Sequence, residues 1–188
     1  MRFLVITNAP TLLKDDTYHA YAPYVKEMNL WFSKVNKVSI LSPTLYKKPL
    51  LTAPFEKQDL EVISLPFIQL GSALHFIKSS IQIPLIAFKM IAAMKKADHI
   101  HLRCPGNIGL IAAFVQVLFP SKKKTTKYAG NWDPKAKQPW SYRLQKRILS
   151  STRWTKNMQV LVYGDWPTQT KNIKSFFTAT YRDSEKLA

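Results

Sequence analysis

The chain has 188 residues, 46% of them hydrophobic, with 28 Lys and Arg against 11 Asp and Glu and a formal net charge of +17. Such a length and apolar share suit one folded domain and exclude a disordered chain. The single cysteine, Cys104, excludes an intramolecular disulfide and a zinc framework. The charge excess concerns partners rather than fold, since nucleic acid, anionic lipid headgroups and phosphorylated substrates all suit it.

Residues 2–7 form a short apolar, β-prone run and read as a buried first strand; the run is too short for a signal peptide. A polar loop covers residues 8–17. The next segment carries Tyr21, Val25, Met28, Phe32 and Val35 at helical spacing. Residues 37–42 and 60–65 read as the second and third strands, closed by Pro43 and Pro66. The stretch between them, with Pro49 and Pro54, reads as a long loop or irregular edge. A helix is expected over residues 83–96, with Pro84 in its first turn, where the missing N–H costs nothing. The greasy stretch 81–94 is interrupted by Gln82, Pro84 and Lys89, short of the ~20 apolar residues a spanning helix needs.

A fourth strand follows over residues 98–103, then a helix over 107–119 ended by Pro120. Residues 125–129 read as the fifth strand. The helix 139–150 has Trp140, Leu144 and Ile148 on one side and Arg143, Lys146 and Arg147 elsewhere. Residues 158–163 and 176–181 read as the sixth and seventh strands. Strands alternating with helices imply right-handed crossovers. The expected fold class is α/β: one Rossmann-like domain over 1–188, a mostly parallel sheet of about six to seven strands with helices on both faces.

Candidate chemistry collects where strands four and five break into loops of Pro, Gly and Asn, since ligands of open α/β sheets bind at the carboxyl ends of strands. In the run HIHLRCPGNIG over 99–109, Arg103 and Asn107 precede a helix whose free N–H groups favour an anion. They either bind phosphate or carboxylate, or Arg103 pairs with a structural carboxylate and Asn107 caps the helix. In KYAGNWD over 127–133, Trp132 either stacks on a sugar or base or sits half-buried in an Asx turn. Asn131 and Asp133 offer hydrogen bonds to hydroxyls, and Asp133 a proton acceptor. His19, flanked by Tyr18 and Tyr21, is placed in or just after the first β–α loop, overhanging the same crevice or starting a helix at the surface.

His99 and His101 alternate on one side of a strand and read as hydrogen-bonded core histidines rather than a metal pair. Cys104 reads as a small buried hydrophobe, and Asp15-Asp16 as a solvated pair. Gly106 and Gly109 form neither GxGxxG nor a P-loop, which disfavours a dinucleotide or ATP site. GxSxG, HExxH and DxD signatures are absent from the chain, as is any recognised nucleic-acid motif. Lys89 and Lys96, seven apart among Phe88, Met90 and Ile91, mark either an interfacial helix on anionic lipid or a solvated lysine face.

At these loops the sequence resembles the N-terminal domain of family-4, GT-B-type retaining glycosyltransferases, especially bacterial ones that build surface polysaccharides. The similar positions are 99–109, 127–133, the YRLQ of 142–145, the VLVYG of 160–164, and 172–181. The resemblance implies sugar transfer from a nucleotide-sugar donor to a glycan or lipid-linked acceptor, with no metal and no cofactor beyond that co-substrate. It casts Asp133 and Asn131 as the catalytic groups near the reacting sugar, where relatives often carry a histidine. It casts His19, Arg103, Asn107 and Trp132 as substrate-binding. The first loop lacks the glycines that relatives place near the donor diphosphate.

It further implies that this is the acceptor-side half. The donor-binding C-terminal domain, with its paired glutamates, is expected in cis or on a partner chain, and the chain alone is expected to be inactive. A cytoplasmic location, peripheral on the inner face of the cytoplasmic membrane, goes with that. The reading from another class is a non-catalytic basic Rossmann-like module that binds anionic membrane or nucleic acid.

Overall fold

The computed structural model describes residues 1–68, 73–166 and 169–176, with the backbone alone for 73–80. The strands in chain order are β1 (Arg2–Ile6), β2 (Leu12–Lys14), β3 (Thr17–Tyr21), β4 (Lys37–Ser42), β5 (Thr52–Pro54), β6 (Leu60–Ser64), β7 (His99–Cys104), β8 (Lys123–Tyr128), β9 (Met158–Val162) and β10 (Ile173–Ser175). The helices are α1 (Ala22–Phe32), α2 (Ala73–Lys96), α3 (Asn107–Val115) and α4 (Trp140–Ser150), and a 3-10 turn (Gln116–Leu118) extends α3. Seven strands form one sheet in the order β10-β9-β8-β7-β1-β4-β6, and every pairing in it is parallel. The α/β, Rossmann-like architecture, a seven-stranded parallel sheet flanked by helices, is therefore present.

The central strand shows why the sheet forms. In β1, Phe3 and Val5 point to one face and Leu4 and Ile6 to the other, and all four are buried, as a strand covered on both sides requires. α1 covers the Phe3/Val5 face with Tyr24, Val25, Met28 and Phe32. On the opposite face, α2, α3 and α4 cover Leu4, Ile6, Ile100, Leu102, Tyr128 and Val160. Phe3 also contacts the rings of Trp31, Phe32, His99 and His101, so one aromatic cluster ties α1 to β1 and β7.

Several boundaries differ from expectation, each for a physical reason. The polar loop 8–17 and the irregular stretch around Pro54 hold a second, three-stranded antiparallel sheet, β2-β3-β5. Asp15 and Asp16 both take positive φ in the turn between β2 and β3, a conformation their short side chains tolerate. α2 starts ten residues before Ile83, so Pro84 lies inside the helix; it is exposed there, and water can take the carbonyl that its missing N–H frees. β8 begins at Lys123 rather than Thr125. β10 ends at Ser175, where a strand over 176–181 was expected; of that stretch only Phe176 is among the described residues.

Candidate functional site

Strand order fixes where a site belongs. From β1 the chain crosses to β4 on one side and later enters β7 on the other, so the order reverses between β1 and β7. Helices and loops diverge from such a point and open a crevice at the carboxyl edge. The loops after β1, β7 and β8 meet there. A Cβ on Gly106 would stand 3.1 Å from Asn8 Cβ, and one on Gly130 would stand 2.9 Å from Pro105 Cγ. At Gly130 a side chain would force Pro105 to shift, and at Gly106 it would press on Asn8, so the neighbouring loops fill most of the side-chain space at both positions. The Oδ1 of Asn8 is buried and has no hydrogen-bond partner among the described residues. An unmatched, solvent-inaccessible acceptor thus lies beside the switch point.

Arg103, one residue from the end of β7, points to the α1 face. Its Nη1 donates to Glu27 Oε1 at 2.7 Å, and its guanidinium lies 5.0 Å from the centre of the Tyr24 ring. Lys127, at the matching register of β8, donates to the other Glu27 oxygen at 2.7 Å and faces the rings of Tyr163 and Phe176. Arg103 thus pairs with a carboxylate, and Glu27 is that carboxylate. Burial pushes the Tyr24 hydroxyl, beside Thr7, above the ordinary phenol range. Glu27 and Lys127 went unnoticed in the sequence. The available signal was that Tyr24, Glu27 and Trp31 share one helical stripe (i, i+3, i+7), the only acid of α1 sitting between two aromatics.

Asn107 is the first residue of α3, after Gly106, so it does not cap the helix; its Nδ2 donates to Ile68 O at 2.9 Å. Asn131 and Asp133 do form Asx turns. Asn131 Oδ1 accepts from the Asp133 N–H, and Asp133 Oδ1 accepts from the Lys135 N–H, each at 2.8 Å. Gln138 braces the loop by donating to Asn131 O. Lys146 reaches back from α4 to donate to Trp132 O at 2.8 Å and Asp133 O at 3.0 Å. Burial, offset by the Asp133 carboxylate, lowers the Lys146 pKa.

The Trp132 ring differs from the sugar platform expected of it. It is 6% exposed, edge-on to Tyr128, with Lys146 Nζ 5.4 Å from its centre, so it anchors the loop to the core. His19 lies on β3, opposite Leu12 and Pro54, rather than in a β–α loop, and its Nε2 shares a 2.9 Å hydrogen bond with Thr17. The structure thus brings the Arg103–Asn107 and Asn131–Asp133 loops together and sets His19 on the small sheet.

His99 and His101 both hydrogen-bond Thr125 Oγ1, and His101 is fully buried; burial first, then Arg103, holds its pKa well below 6.5. Among the described residues no group of three or more His, Cys, Asp or Glu is placed to hold a metal ion. Burial pushes the Cys104 thiol up to about 12, which keeps it protonated and inert. Two cavities, of about 600 and 700 Å³, lie elsewhere, along the amino ends of the strands: one beside Arg2, Lys37 and Asp59, the other beside Lys123, Asn157 and Met158. No helix of the described residues is long and apolar enough to cross a membrane. No protein-family model and no curated protein matches the chain.

Proposed function

We propose that this chain is the acceptor-side half of a GT-B-type retaining glycosyltransferase, which passes a sugar from a nucleotide donor to a glycan or lipid-linked acceptor in surface polysaccharide synthesis. The observation that carries this reading is the meeting of the loops after β1, β7 and β8 at the carboxyl edge of the β1/β7 switch point. There the unmatched Asn8 oxygen adjoins the Gly106 loop, and the Asn131–Asp133 loop is next to it. Hydroxyl-rich ligands need such a concentration of amide and carboxylate acceptors.

In this reading the Asp133 carboxylate and the exposed Asn131 amide hydrogen-bond the reacting sugar. Arg103 and Asn107 form the acceptor side, with Arg103 held in place by Glu27, and His19 lines the outer wall from the small sheet. A donor-binding domain, in cis or as a partner chain, completes the site and holds the second reactant, the step that makes transfer effectively intramolecular. The donor is a co-substrate, and no further cofactor enters.

The test is to supply candidate donor domains to the chain and follow sugar transfer from labelled nucleotide sugars. Asp133→Ala is expected to lower kcat by about a hundredfold or more, the scale of a lost acid–base or hydrogen-bonding group. Asn131→Ala is expected to lower it less. A wild-type rate in Asp133→Ala would remove Asp133 from the chemistry. Absence of transfer with every donor domain, together with tight nucleic-acid binding at physiological salt, would replace the proposal with the basic binding module.

A further inference from the structure

We infer that the outer face of the α2–α3–α4 layer docks the chain on the surface of a bilayer containing anionic lipid. The inference goes beyond sugar transfer and does not depend on it. α3 packs between α2 and α4, so the three helices present one continuous outer surface. None of the three contains an Asp or a Glu. In a chain with 11 acids, that leaves a whole molecular face free of carboxylates on its helices.

What that face exposes instead is apolar and basic. α2 turns Ile81, Leu85 and Phe88 outward at i, i+4 and i+7, with Ile81 75% and Phe88 70% exposed, and ends on exposed Lys95 and Lys96. α3 and its 3-10 extension add Phe114 and Leu118, the latter 65% exposed. α4 adds Trp140, Arg143 and Arg147, again on one stripe (i, i+3, i+7) and all exposed. Helices with large apolar side chains outward and Lys or Arg between them lie in the headgroup layer rather than across a bilayer. Patches of this extent on a soluble surface mark an interaction site.

The charge selects the occupant. Anionic headgroups complement the lysines and arginines, and acyl chains take up Ile81, Leu85, Phe88, Phe114 and Leu118. A polyanion such as RNA matches the charge but leaves the five aliphatic and aromatic side chains in water. A second copy docked on the same face would set Lys95, Lys96, Arg143 and Arg147 against their own kind. Acidic groups stand at the margins: Asp59 and Glu61 line the groove flanking α2, Asp98 follows the end of α2 and accepts from the Arg2 N–H, and Asp133 precedes α4. On the α1 side the exposed large hydrophobics are spread over separate elements, with Leu13 on β2, Tyr21 on β3 and Leu30 on α1.

The test is co-sedimentation with vesicles of phosphatidylcholine alone and of phosphatidylcholine with phosphatidylglycerol. The chain is expected to bind the anionic vesicles, more weakly as salt rises, and to leave the neutral ones in large part unbound. Leu85→Ser with Phe88→Ser is expected to reduce partitioning about tenfold or more, and Arg143→Glu with Arg147→Glu by a similar factor. Lys14→Glu with Lys34→Glu changes the net charge by the same amount on the α1 side, at two exposed positions, and is expected to keep most of the binding.

All six positions are at the surface, and unchanged helicity and melting would show that the variants fold. Equal loss in the α1-side variant would overturn the inference, because net charge alone would then explain binding. So would failure to bind anionic vesicles, or a dimer or RNA complex that the α2 and α4 variants abolish in place of vesicle binding. Vesicle binding needs neither donor nor acceptor, so its failure would leave the sugar-transfer reading where it stood.

Discussion

Glu27 shows what a single side chain can decide at the strand tips. Its two oxygens each hold a cation at 2.7 Å, while the side chains of Arg103, Lys127 and Glu27 are 14%, 4% and 10% exposed. Removing the carboxylate leaves two cations at sites where desolvation is not compensated. Glu27→Ala is expected to cost about 3–5 kcal/mol in urea unfolding, the scale for breaking a buried pair from one side. A loss below about 1 kcal/mol would mean that the tyrosine and phenylalanine rings suffice to hold these cations.

His101 makes the opposite point, a polar group kept neutral by burial. Its native pKa lies well below 6.5, so as pH falls through that value the unfolded chain takes up a proton that the folded chain refuses. Its contribution is fully present above pH 6.5 and is lost progressively below it, by at most about 1.4 kcal/mol per pH unit. His99, also shifted down by burial, adds in the same direction. Unfolding free energies measured at pH 7.5 and 5.5 (about one unit either side of that pKa) are expected to fall, and His101→Gln to flatten the slope. A profile that rises toward acid would contradict the buried neutral assignment.

At the scale of elements, the parts that follow simple periodicity were legible and the parts set by distant partners were not. Short β-prone runs marked β1, β4, β6, β7 and β9 to within a residue or two, most simply at β1, where a strand buried on both faces consists of little else. The start of β8 was hidden by Lys123 and Lys124, which resemble a surface turn. Lys124 is in fact buried, its Nζ donating to Gln116 O and Phe119 O at the end of the α3 extension. Lys122 likewise donates to Lys95 O and Ala97 O at the end of α2, so two of the lysines that swell the net charge satisfy helix carbonyls. Pro84 misled because the rule for first-turn prolines assumes that nothing helical precedes it. The β2–β3 hairpin escaped because β2 has three residues and its turn uses Asp-Asp, not a glycine pair. For the site, the breaks after β7 and β8 exposed Arg103, Asn131 and Asp133 as strand-tip residues. Glu27 lies 76 residues from Arg103 and 100 from Lys127, a juxtaposition only the assembled sheet creates.

For the molecule as a whole, one quantity should act with opposite sign on folding and on docking. The net charge of +17 means that most surface charge pairs are repulsive, which disfavours the compact state. Ion pairs among the described residues include Lys57–Asp59 at the surface and the two buried contacts of Glu27. Salt screens exposed charges over a Debye length of about 8–10 Å near physiological ionic strength and reaches buried pairs far less. Added salt therefore removes many repulsions, weakens a few exposed attractions such as those of Asp59 and Asp98, and leaves the Glu27 contacts nearly intact. The melting temperature is expected to rise between about 0.02 and 0.2 M NaCl, by some 2–4 °C if about 1 kcal/mol of repulsion is relieved. Vesicle binding is expected to weaken over the same range, because there the screened charges attract. A melting temperature that falls with salt would show that attractive surface pairs dominate after all, and would remove the charge imbalance as a source of self-repulsion.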